Sequence, residues 1–145
     1  MKNILSLEEI NQFKADGAIV LRNKFDIHWI EKLKRGIAKD IKSPSPRFKS
    51  HTTRKNIPSY LEDYWTWDRV PEFKDFVFNS PVSQIALELM SAKKVNLLMD
   101  NWFLREAGAK SSTPFHHDIS YFDGGLCGAR THDLTIKSRP LYQLS

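Results

Sequence analysis

Cysteine is nearly missing from this sequence: Cys127 stands alone. One thiol cannot close an intramolecular disulfide, so a disulfide-stapled secreted scaffold is excluded and a reducing, cytoplasmic setting is expected. Long apolar runs are lacking as well. No stretch approaches the roughly 20 residues needed to span a bilayer. The opening MKNILSLEEI turns acidic before it can build the apolar centre of a signal peptide, so no membrane partner is expected. Low-complexity tracts are absent, which argues against wholesale disorder. Charge is the opposite case, because Lys and Arg outnumber Asp and Glu by 22 to 17. The basic residues gather at 32–39, 47–55 and the C-terminal end, without the run of cations interleaved with aromatics that single-strand binders use. A nucleic-acid partner is therefore not expected. A basic face meeting an acidic partner remains the alternative, for a non-catalytic fold fragment or binding module.

What is present begins with punctuated helices. Ser6-Leu7-Glu8-Glu9 is a capping box, Leu7, Ile10 and Phe13 form a helical stripe, and Gly17 suits a left-handed stop. Ala18–Arg22 is a short β-rich run. Asp26 can cap a second helix with Ile27, Ile30, Leu33, Ile37 and Ile41 on one face, ended by Ser43-Pro44-Ser45-Pro46. Residues 47–58 read as a polar, basic loop, and its lone His51 is left out of any site. Pro71–Phe78 reads as a short helix. Ser80-Pro81 opens another, with Val82, Ile85, Ala86 and Leu89 as its stripe, and Ala92–Lys94 is a turn. Val95–Arg105 is expected to be a strand with Asn101, Phe103 and Arg105 on one face. Helices followed by strands with short loops predict a β-sandwich or barrel with helical cover.

The chemistry concentrates in Thr113-Pro114-Phe115-His116-His117-Asp118, with Tyr121-Phe122 after it. On a strand, His116 and Asp118 point to the same side and His117 to the other. An imidazole and a carboxylate so placed can share one metal ion, supplying two of the three ligands of the two-His-one-carboxylate triad that holds Fe(II) in non-haem oxygenases. The preceding strand carries Arg105, whose fork suits a carboxylate, and Asn101, whose amide suits a carbonyl or carboxyl oxygen. A metal-chelating dicarboxylate such as 2-oxoglutarate fits that set.

The segment Asp100-Asn101-Trp102-Phe103-Leu104-Arg105-Glu106-Ala107-Gly108, followed by Thr113-Pro114-Phe115-His116-His117-Asp118 and Tyr121-Phe122, resembles the phytanoyl-CoA dioxygenase family. Members read approximately D-Q-x-F-x-K-x-P-G, a spacer, then T-P-W-H-Q-D-x-x-Y-W. The resemblance covers about Leu5 to Gly125. It implies an α+β, mainly β chain: the N-terminal part of a double-stranded β-helix (jelly roll) with helical cover. It implies an oxidoreductase that uses Fe(II) and 2-oxoglutarate to hydroxylate a C–H bond of a small-molecule substrate. His116 and Asp118 match the first two metal ligands, and Asn101 and Arg105 match positions near the co-substrate. Phe115 replaces the usual Trp.

The resemblance stops short of a whole site. The family's second metal-binding His and its further Arg lie several dozen residues past the H-x-D, and the apolar strand and G-S-H segment expected there are not found before Ser145. Residues 1–125 are accordingly expected to be a partial dioxygenase-like domain with an incomplete barrel and weak or lost activity. Residues 126–145 are expected to be an atypical, disordered tail in which His132 is a stray residue.

Overall fold

A computed structural model describes residues 3–52 and 58–110. The strand expected at 113–122 and the tail at 126–145 lie outside the described residues. What is described is α+β: helices α1 (Leu7–Asp16), α2 (Ile27–Lys42), α3 (Pro71–Asn79) and α4 (Val82–Leu89), with strands β1 (Lys49–Ser50), β2 (Tyr60–Tyr64) and β3 (Asn101–Arg105). The strands form one antiparallel sheet in the order β1-β2-β3.

Local signals set the helix ends. The Glu9 amide donates to Ser6 Oγ at 3.1 Å and the Ser6 amide to Glu9 Oε2 at 2.8 Å, completing the capping box. Gly17 stops α1 at φ 75°, its N–H reaching Phe13 O at 2.9 Å. Yet α1 buries no residue. Its anchorage comes from the segment before it, where the Ile4 and Leu5 amides donate to the Glu88 carboxylate of α4 at 2.7–3.1 Å and Leu5 enters the core. Asp26 caps α2 by accepting from the His28 amide at 3.0 Å, and Ser43 ends it.

The buried face of α2 differs from the expected one. Trp29, Gly36 and Asp40 are buried and Leu33 and Ile37 pack on the core, while Ile27, Ile30 and Ile41 are exposed. An indole removes more apolar area from water than an isoleucine, and Trp29 meets Phe76 of α3 edge-on at 5.9 Å. Gly36 is the second cause. A Cβ there would stand 2.5 Å from Phe73 Cε1, so the missing side chain is what lets α2 and α3 touch. The core between these helices and the sheet is Val70, Phe73 and Trp102, with Leu33, Ile37, Phe48, Leu61, Trp67 and Leu104 against it. Each large apolar side chain so buried contributes about 1.5–3 kcal/mol.

Three strand expectations are corrected. Ala18–Arg22 is irregular and joins no ladder among the described residues, and Val20 is exposed, because β-propensity without a ladder partner makes no strand. The stretch read as a loop at 47–58 contributes β1, whose Lys49 and Ser50 face Glu62 and Leu61. Of Val95–Arg105 only the last five residues are strand, since β2 offers only Tyr60–Tyr64 to pair with and then turns away at Trp65, φ 55°.

Candidate functional site: the outer face of the sheet

Alternation along β3 divides it cleanly. Trp102 is buried and Leu104 half-buried against the helices, while Asn101, Phe103 and Arg105 are exposed on the other side. Register carries that division across the sheet. Tyr60 stands opposite Arg105, Glu62 opposite Phe103 and Tyr64 opposite Asn101, and directly opposed residues share a face. One outer face thus holds Asn101, Arg105, Phe103, Tyr60, Glu62 and Tyr64, with Lys49 joining from β1. Tyr60 and Phe103 rings lie 6.3 Å apart, and the His51 ring lies 4.8 Å from Tyr60. His51 Nε2 is 3.3 Å from Glu62 Oε1, so the residue left out at sequence level sits on this face.

Buried polar groups hold the two site strands in place. Trp102 Nε1 donates to Asp40 Oδ2 at 2.9 Å, and Asp40, only 1% exposed, also pairs with Arg69. Asp63, 0% exposed on the inner side of β2, accepts from the Ser45 amide (2.9 Å), Ser45 Oγ (2.6 Å) and the Tyr64 amide (2.8 Å). Arg69 Nη1 donates to Ser43 O at 2.6 Å, tying the end of α2 to the same cluster. Asp100, just before β3, accepts from the Thr66 amide and hydroxyl at 2.9 and 2.8 Å. These carboxylates were missed in the sequence. Their signal was there for Asp40, an acid on the apolar face of an amphipathic helix, and for Asp63, an acid at an inward strand position beside Leu61.

Asn101 and Arg105 therefore share a face but stand four residues apart, about 13 Å at the rise of a strand, with Phe103 between them. Arg105 Nη2 donates to Ala109 O at 3.1 Å, which orients a guanidinium that carries five donors in all. The Ala109 amide reaches Glu106 O at 3.0 Å across a turn that needs Gly108 at φ 86°. Pro58 Cγ lies 3.4 Å from where a Gly108 Cβ would stand. The other two predicted site residues, His116 and Asp118, lie outside the described residues. Among the described residues, no three His, Cys, Asp or Glu side chains group as a metal cluster.

A cavity of about 610 Å³ opens between α3, α4 and the segment entering β3. Its wall is mostly apolar, including Phe73, Val82, Val95 and Met99, with Asp100 and Asn101 among its few polar residues. That volume falls in the range of small-molecule sites. Among the described residues, no helix is long and apolar enough to cross a membrane. No family model, no curated protein and no solved structure matches the chain.

Proposed function

We propose that this chain is a non-haem Fe(II)- and 2-oxoglutarate-dependent dioxygenase of the phytanoyl-CoA dioxygenase type, built on a jelly roll with helical cover. The supporting observation is the sheet's division of labour. Asn101 and Arg105 share the face turned away from the helices, and in the sequence the glycine turn after β3 is followed by Thr113-Pro114-Phe115-His116-His117-Asp118.

The donor set suits the group. A neutral His116 imidazole and an ionised Asp118 carboxylate would supply two of the three protein ligands of Fe(II). Arg105 offers a planar fork to a carboxylate, already oriented through Ala109. The mostly apolar wall of the cavity beside β3 favours a small, largely apolar substrate. When bound, iron with 2-oxoglutarate and dioxygen supplies the oxidising power for C–H hydroxylation. The chain's own residues orient the co-substrate and keep the pocket dry.

Cobalt(II) titration under argon tests the ligand assignment. Binding should weaken at least tenfold in His116→Ala and in Asp118→Ala, and it should weaken in acid as the imidazole protonates. Equal affinity in the parent chain and both variants would remove these residues from a metal site.

A further inference from the structure

We infer that the β1–β2 edge of the sheet is a docking surface for single-stranded nucleic acid. Two cation–aromatic pairs lie side by side there. The Arg47 guanidinium sits 4.9 Å from the centre of the Trp65 ring, and Lys49 Nζ sits 5.8 Å from that of Tyr64. Arg47 and Lys49 are two residues apart, and Tyr64 and Trp65 are consecutive. In the sequence Arg47 and Lys49 flank Phe48, which packs on the core, so the rings they meet come from the neighbouring strand and its turn.

Trp65 is the anomaly that asks for a function. It is 50% exposed and sits at φ 55°, a left-handed conformation that is an outlier for a bulky side chain. The Trp65 amide donates to Asp100 O at 3.0 Å, and both Thr66 donors go to the Asp100 carboxylate, so the surrounding bonds hold the turn in place. Strain of this kind, kept by the structure around it, is a feature of binding sites. The Arg47 guanidinium lies over the indole, and half of the side chain is still left in water. Across the sheet from this edge, Phe103 is 55% exposed on the outer face, a second platform of the same kind.

The chemistry selects the partner. Exposed rings accept the flat face of any base, and cations beside them accept phosphates, the combination by which single strands are held without sequence preference. The surface is a sheet edge and not a closed pocket, so a lone nucleotide would gain little there, whereas a strand can add contacts along its length. A duplex keeps its bases stacked on one another and offers none to Trp65. The formal charge of +5 favours encounter with a polyanion. Glu62 works against it, lying 3.9 Å from Lys49 Nζ, so Arg47 is assigned the main phosphate contact.

This inference is independent of the oxygenase reading and is tested without metal. Anisotropy of a short dye-labelled oligothymidylate, titrated with the full chain in EDTA, should show saturable binding that exceeds binding to a duplex of equal length. Trp65→Asn, which keeps a residue suited to positive φ, should weaken it about tenfold, and Trp65→Phe should retain most of it. Arg47→Gln should lower the slope of log affinity against log salt by about one. No saturable binding, binding as tight to the duplex, or a slope unmoved by Arg47→Gln would overturn the inference. So would an affinity unmoved by Trp65→Asn in a variant whose melting matches the parent.

Discussion

Gly36 shows how one missing side chain can set a helix contact. Alanine is the better helix former by about 1 kcal/mol, yet its Cβ would meet the ring of the buried Phe73 at 2.5 and 2.9 Å. Overpacking at such a site costs about 1–3 kcal/mol. Gly36→Ala should therefore lower the urea midpoint despite its propensity gain, and a second change, Phe73→Leu, should recover part of the loss. Asp40 makes the complementary case. Asp40→Ala would strand the Trp102 indole N–H and remove the nearer carboxylate of Arg69, leaving it Ser43 O and Asp63 Oδ2 at 3.8 Å. Breaking a buried pair costs about 3–5 kcal/mol, and the lower figure applies because the Arg69 side chain stays 35% open to solvent. Chemical denaturation should show a loss of about 3 kcal/mol for Asp40→Ala and less for Asp40→Asn, which keeps an acceptor for the indole.

At the scale of elements, carboxylates hold the helices together and make the fold acid-sensitive. Glu88 is held below its ordinary range first by the hydrogen bond from Gln84, then by the Ile4 and Leu5 amides, against some opposition from burial. Glu72 and Asp75 on α3 are lowered in the same direction, chiefly by Lys39 and Lys32 of α2. A carboxylate whose folded pKa is depressed stabilises fully above its unfolded value, 4.5 for a Glu, and loses that contribution as pH falls through the folded value. Melting temperature should accordingly hold steady from neutral pH to about 5 and fall below it, with a shallower fall in Glu88→Gln. Much of this level was legible in the sequence. The Ser6–Glu9 box, the Asp26 cap, the Gly17 stop and the Pro71 and Pro81 helix starts are all local chemistry. The bearing of α2 was not, because it depends on Gly36 meeting Phe73, a contact between residues 37 apart in the chain. The extent of β3 was not, because a strand ends where its partner β2 turns.

At the largest scale, among the described residues, the sheet is the organising surface: helices cover one face and a row of polar and aromatic side chains occupies the other. The pairing of Asn101 with Arg105 on one face was readable from alternation alone, and the structure agrees. The place of Tyr60, Glu62 and His51 beside them was not, since it follows from the β2–β3 register. On the dioxygenase reading, Asn101 and Arg105 on this face are co-substrate contacts. Arg105→Ala should then weaken 2-oxoglutarate binding tenfold or more, read by calorimetry with a redox-inert metal, while Phe13→Ala, remote on α1, should leave it unchanged. The most direct test is optical: Fe(II) and 2-oxoglutarate added anaerobically to the full chain. The account predicts a visible charge-transfer band that needs both components and is lost in His116→Ala and Asp118→Ala. A colourless mixture whose iron binding is the same in the parent chain and in His116→Ala would contradict it.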